Sequence, residues 1–213
     1  MPNDSARMPR HTDSRQRLLE IATDLIWESS YGRASVDRIC ERAEIRKGSF
    51  YHHFESKEQL ALEALEHQWQ IYRRELNDIF SPLVPPIERL RRHIVQALET
   101  QVSMREKVGF VCGCPLFSLG CEVGTLEPAI RAKIHEILDQ NLRYLEAAIR
   151  DAHASGEIVA PEPARKARII FDYCEGAHTR ARIMNDLKPI QEMEQNVMEI
   201  LAAGQPVELA ARG

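Results

Sequence analysis

Apolar residues recur at alternating steps of three and four along most of the chain, which is the period of an amphipathic helix and not of a strand. Leu18, Leu19, Ala22, Leu25 and Ile26 form the first stripe, with Thr12 or Asp13 ahead of it as a cap and Tyr31-Gly32 behind it as a stop. A second, shorter stripe is Val36, Ile39, Cys40 and Ala43, capped by Ser35. After the turn Glu44-Ile45-Arg46, Phe50 and Phe54 share one side of a short helix starting near Lys47. Leu62, Leu65, Trp69, Tyr72, Leu76 and Ile79 then mark one long helix from Ser56 to about Phe80, stopped by Ser81-Pro82.

The same period continues. Pro85-Pro86 opens a helix that carries Leu90, Ile94, Ala97 and Leu98 and runs to about Arg105. The stretch VGFVCGCPLFSLGCEVG, Val108 to Gly124, is rich in glycine and cysteine and reads as a short broken helix between loops. Leu126-Glu127-Pro128 starts a long helix with Ile130, Ile134, Ile137, Leu138, Leu142, Leu145 and Ile149 on one face, ending at Ser155-Gly156. Two further helices are expected, Ala164 to about Asn185 and Lys188 to about Ala203. No alternating strand pattern or internal repeat occurs, so the predicted fold class is all-α. Residues 1–11 read as a flexible arm and 206–213 as a frayed tail.

Two short helices joined by a tight turn make a helix-turn-helix, whose second helix lies in the major groove of DNA. Here that second helix turns its phenylalanines inward and leaves Lys47, Ser49, Tyr51, His52 and His53 outward. The run IRKGSFYHHFESKEQL resembles the DNA-binding signature of the tetracycline-repressor (TetR) family. The matching residues are Ser35, Ile39, Ala43, Lys47, Gly48, Ser49, Phe50, Tyr51, His53, Phe54, Lys57 and Leu60. There are two departures: Glu44 stands where the family usually has glycine, and Arg46 where it commonly has serine.

The resemblance implies an N-terminal three-helix DNA-binding domain over residues 12–57, joined by the long helix to an all-helical ligand-sensing and dimerising domain over 58–205. It implies a homodimer through the last two helices, a near-palindromic duplex operator, and a repressor released by a small molecule. By the same resemblance, Ser35, Tyr51 and Lys57 contact phosphates. Lys47, Gly48, Ser49 and His53 are expected to face the groove, and Arg46, where the chain departs from the family, is by its own bidentate chemistry a candidate to reach a guanine.

Charge refines this picture without deciding it. The chain carries a net −4, but residues 1–57 hold 10 Lys/Arg against 9 Asp/Glu. Bulk charge therefore does not attract DNA, and clustering on one face has to do so. Arg7, Arg10, Arg15 and Arg17 join Lys47 and Lys57 as phosphate candidates. No run approaches the length of a membrane span, and no secretory signal is visible, so a cytoplasmic location is expected. Five cysteines in such a chain do not suggest a disulfide framework.

In the second domain, Trp69, Tyr72, Phe110, Phe117, Phe171, Cys174 and His178 are candidates to line an effector pocket, with ordinary core packing as the alternative for each. His178 and Arg182, one turn apart, suit an anionic or polar ligand or a dimer contact. Gly113-Cys114 ahead of Leu119-Gly120 and Glu122-Val123 resembles the segment that carries a reactive thiol in some electrophile- or oxidant-sensing members of the family. A redox-sensing repressor would use Cys114, with Cys112 or Cys121 to resolve it and Arg105 or Lys107 to lower its pKa. The cysteine spacing lacks a companion histidine for zinc, so neither metal nor cofactor is expected. The chain has no phosphate loop or nucleophile elbow, and Glu175 with His178 is a thin catalytic pair, so an enzyme is not expected. A helical interaction protein without specific DNA binding is the remaining alternative.

Overall fold

The computed structural model describes residues 10–202. Among the described residues there are ten helices and no strand. They are α1 (Arg10–Glu28), α2 (Val36–Ala43), α3 (Lys47–His53), α4 (Lys57–Ile79), α5 (Pro86–Val108), α6 (Pro115–Val123), α7 (Pro128–Ala154), α8 (Pro163–Met184), α9 (Lys188–Gln191) and α10 (Met193–Ala202). The all-α expectation holds. No described helix is long and apolar enough to cross a membrane. The chain divides into two compact units, one of residues up to Tyr72 with Pro115–His135, the other of Arg73–Cys114 with Glu136 onward. The division differs from the expected boundary at residue 57: it falls inside α4 and inside α7, and α6 groups with the N-terminal helices.

In the first unit the apolar stripes read from the sequence meet in one cluster. Leu18, Leu19, Ala22 and Leu25 of α1 pack with Ile39, Cys40 and Ala43 of α2, Phe50 and Phe54, and Leu60 and Ala64 of α4. Burying each large side chain contributes about 1.5–3 kcal/mol, so this cluster is the main force that holds α1, α2 and α3 together. Ser35 caps α2, its Oγ accepting from Arg38 N at 3.2 Å. Helix α2 ends at Glu44, which adopts the left-handed conformation (φ 55°) that favours glycine. Arg46 stands at the N-cap of α3 and makes no side-chain cap bond.

The second unit buries Leu76 of α4, Leu90 of α5, Ile149 of α7, Ile170 of α8, Ile190 of α9 and Val197 of α10. Its buried Arg89 is fully engaged, with Asp151 at 2.6 Å and the carbonyls of Val84 and Pro82 at 2.7 and 3.3 Å.

Some expected boundaries move. Helix α1 begins at Arg10, ahead of the Thr12 and Asp13 caps, and stops at Glu28, short of Tyr31-Gly32. Most of the expected arm and all of the 206–213 tail lie outside the described residues. The last helix is not continuous: Glu192, at φ −80° and ψ −8°, separates α9 from α10 as a single turn residue, its N–H donating to Lys188 O at 3.0 Å and its carbonyl accepting from Asn196 N at 3.1 Å. The glycine- and cysteine-rich stretch, by contrast, contains a regular helix, α6, opened by Pro115.

Candidate nucleic-acid interface

Helix α3 presents one buried and one open side. Phe50 is 0 % exposed and Phe54 1 %, their rings 5.8 Å apart, whereas Tyr51 is 55 % exposed. The Tyr51 ring stands edge-on to Phe50 at 5.2 Å, so a core residue sets the direction of an outward one. Lys47, Gly48, Ser49 and His52 are exposed with it. A Cβ at Gly48 would meet nothing within 4 Å, so the fold itself does not require glycine there. Arg46 and Ser35 are exposed on the flanking residues.

His53 behaves differently from the groove-facing role expected of it. It is half-buried, and its Nε2 lies 2.8 Å from Ser14 Oγ of α1. Several cations expected at phosphates are likewise engaged within the protein. Lys57 Nζ donates to Tyr31 O at 3.1 Å and lies 3.8 Å from the centre of the Tyr31 ring. Lys47 Nζ is 2.7 Å from Asp37 Oδ1, which raises the lysine pKa. Arg15 pairs with Glu63, and Arg17 lies 3.6 Å from Glu44. Arg7 lies outside the described residues, and Arg10 begins α1.

The turn ahead of α2 is held from two sides. Glu122 of α6 accepts from Tyr31 N and Gly32 N, both at 2.7 Å, and Lys57 takes the Tyr31 carbonyl. The sequence marked Glu122 only as part of the segment resembling a thiol sensor, not as a clamp on this turn. The clamp was not visible there, because its partners are backbone groups some 90 residues away in the chain.

The residues expected to line an effector pocket are divided. Trp69, Tyr72 and Phe117 belong to the first unit, and Phe110, Phe171, Cys174 and His178 to the second. Trp69 is buried and packs its ring 6.2 Å from Tyr72, while Phe110 is exposed. His178 Nδ1 hydrogen-bonds with Cys174 O at 2.9 Å, and burial lowers the ring's pKa against that bond. Arg182 Nη1 donates to Cys112 O at 2.5 Å. Both side chains of this pair are thus engaged with backbone carbonyls of the same unit.

The second unit also holds buried polar side chains on α5, α7 and α8, Glu175 among them. The Cys114 side chain hydrogen-bonds to the Glu175 carboxyl. Burial pushes that carboxyl up to about 7, against the Cys114 bond and with the help of Asp172. Burial also lowers the His93 imidazole to about 4, with His178 adding to the effect. Glu175 Oε2, His93 Nδ1 and Asn141 Oδ1 are enclosed without a hydrogen-bond partner, a costly condition for buried polar atoms.

The cysteine segment is rigidly held. The Gln101 amide accepts from Gly113 N at 2.8 Å and donates to Gly113 O at 3.1 Å. Gly113 adopts φ +67°, and a Cβ there would come within 3.0 Å of His178 O. Cys112 is buried, Cys114 half-buried and Cys121 exposed. Arg105 and Lys107 are exposed on the last turn of α5. Burial pushes the Cys174 thiol up to about 12, with Glu175 adding to the rise. Among the described residues no group of His, Cys, Asp or Glu is arranged to hold a metal.

Comparison with known proteins agrees with this geometry. Residues 18–64 match the family model described as bacterial regulatory proteins, tetR family, and residues 86–197 the one described as tetracyclin repressor-like, C-terminal domain. The transcriptional regulator AcuR of Cereibacter sphaeroides is 31% identical over 178 residues, 83% of this chain and 78% of that protein. The HTH-type transcriptional repressor NemR of Escherichia coli (strain K12) is 25% identical over 202 residues, 92% of this chain and 98% of that one. A crystal structure of regulatory protein TetR from Rhodobacter sphaeroides superposes with a TM-score of 0.80 at 28% identity, covering 88% of this chain and 98% of that one.

Proposed function

The chain belongs to the tetracycline-repressor family of ligand-responsive, DNA-binding transcriptional regulators, and from that premise we propose that it is a homodimeric repressor released from a near-palindromic operator by a small molecule. The observation that carries the DNA-binding part is the pair Phe50 and Tyr51: one ring in the core, the next held outward. Ser35, Arg46, Lys47, Gly48, Ser49 and Tyr51 form the reading face. His53 supports it from behind, and Lys57 acts by fixing the Tyr31 turn. The members of this family are regulators and not generally enzymes. A cytoplasmic location fits a protein whose partner is DNA.

Dimerisation through α8 and α10 is supported by a stripe on α8 in which exposed isoleucines alternate with Gly176 and Arg180 and in which the Tyr173 hydroxyl accepts from Asn196 of α10 at 2.6 Å. Ile169, Tyr173, Gly176, Arg180 and Ile183 follow one another on α8 at steps of four and three, the spacing of a helix–helix seam. Ile169 is 44 % exposed and Ile183 80 %, and Met184 beside it is also exposed. The effector acts in the second unit, where Glu175, His93 and Asn141 carry polar atoms that a bound molecule would satisfy. The test is binding of the native chain to a duplex from the region upstream of its own gene, measured by fluorescence anisotropy across a salt series. Steep salt dependence with preference over a random duplex is the expected result; equal binding to both duplexes would rule out a specific repressor.

A second reading, redox or electrophile sensing, is favoured by one contact: the half-buried Cys114 thiol lies against the Glu175 carboxyl, a group able to take its proton. Operator release by mild oxidant in the native protein but not in Cys114→Ser would establish it, and equal release in both would remove Cys114.

A further inference from the structure

The ion pairs of the DNA-binding unit sort its cations into two sets. Arg15, Arg17, Arg42 and Lys47 are held by Glu63, Glu44, Glu28 with Asp24, and Asp37 respectively, and Lys57 is held by Tyr31. Arg33, Arg38 and Arg46 are exposed and make no side-chain ion pair or hydrogen bond among the described residues; Arg46 stands at the start of the reading helix, whereas Arg33 and Arg38 do not lie on it.

Arg33 and Arg38 both lie where the two helices of the motif meet. The Lys47–Asp37 contact of 2.7 Å joins the first turn of α3 to the first turn of α2. Arg38 follows Asp37 directly, and Arg33 stands in the lead-in just before the Ser35 cap. That lead-in is fixed, since Glu122 clamps Tyr31 N and Gly32 N, Ala34 is fully buried, and Arg33 N donates to Ser30 Oγ at 3.3 Å. A guanidinium on an already ordered backbone loses less entropy when it binds. The acidic neighbours do not cancel it. Asp37 is paired with Lys47 in the free protein, and neither Asp37 nor Glu41 forms an ion pair with Arg38 among the described residues.

In a helix-turn-helix complex the first helix crosses the phosphate backbone while the second enters the groove. Resting on the reading of this chain as a DNA binder, we propose that Arg33 and Arg38 form a phosphate-gripping pair at the amino end of α2, extending the footprint beyond the reading helix. Such contacts set position and strength without conveying base sequence. Each displaces condensed counterions from the duplex.

The test uses the full chain with two labelled duplexes, one from the region upstream of its gene and one random sequence of equal length, between about 50 and 200 mM salt. Arg33→Ala and Arg38→Ala should each flatten the slope of log affinity against log salt by about 0.9. Each should weaken both duplexes by the same factor, with the melting temperature unchanged. Arg38→Lys should keep the slope. Arg42→Ala, which breaks a structural ion pair, should lower the melting temperature and leave the slope as it was. If the native protein shows salt-dependent preference for the upstream duplex and both alanine variants keep its slope, the phosphate assignment is overturned. A loss of discrimination without a change in slope would make these residues base readers and also overturn it. A native chain that shows no such binding would fail earlier, at the reading on which the proposal rests.

Discussion

Lys47 Nζ lies 2.7 Å from Asp37 Oδ1, so the first basic residue of the reading helix is held by a carboxylate of the helix before it. Both side chains are exposed, and an ion pair so placed is weak enough to open when a phosphate or base edge competes. Asp37→Asn frees Lys47 and removes a negative charge from the face that meets DNA. Affinity for the upstream duplex should rise about two- to fivefold at low salt, with the gain fading as salt increases. A fall in affinity, measured by the same anisotropy titration, would mean that Asp37 orients Lys47 and does not restrain it.

Glu122 is a single carboxylate serving two backbone donors. Glu122→Ala leaves the N–H groups of Tyr31 and Gly32 without that acceptor and should cost about 1–3 kcal/mol. In a chain of this size that is a drop of about 2–4 °C in melting temperature per kcal/mol, readable by circular dichroism. DNA affinity should fall as well, because the clamped turn leads into α2. An unchanged melting temperature would show that solvent replaces the carboxylate at no cost.

Glu44 occupies a left-handed position without being glycine. Glu44→Gly removes a strain of about 1–2 kcal/mol. Part of the gain is offset by the greater freedom of glycine in the unfolded chain and by loss of the exposed Arg17 contact. A net stabilisation of about 1 kcal/mol is expected in chemical denaturation, with the slope against denaturant unchanged. Destabilisation would mean that the Arg17 contact outweighs the backbone.

Glu175 gives the fold a pH dependence of known sign. Its carboxyl is raised from 4.5 to about 7 in the folded protein, so between those values the folded chain keeps a proton that the unfolded chain has released. Stability from this group is therefore present at low pH and lost as pH rises through about 7, by an amount on the order of 3 kcal/mol. Glu175→Gln should melt higher than the native protein at pH 8 and show little difference near pH 4.5. Parallel melting curves of the two proteins across that range would remove Glu175 as the source.

The sequence alone determined that the chain is all-α, where most of its helices lie to within a turn, though not the break at Glu192, and which rings of α3 turn inward. Each of these follows from local rules: a three-and-four apolar period, prolines and glycines at ends, a capping serine. Family membership was legible for the same reason, since the signature residues are contiguous. Tertiary structure decided which charges are free. Arg15, Lys47 and Lys57 look like DNA contacts in the sequence, yet their partners Glu63, Asp37 and Tyr31 belong to other helices or loops. Arg33 and Arg38, by contrast, stand exposed without such partners. The clamp of Glu122 and the buried group at Glu175 were equally hidden, because each joins atoms far apart in the chain and the energy of a charge depends on what folding brings beside it. Periodicity records which side of a helix is buried; it carries no record of which charge on the other side has found a partner.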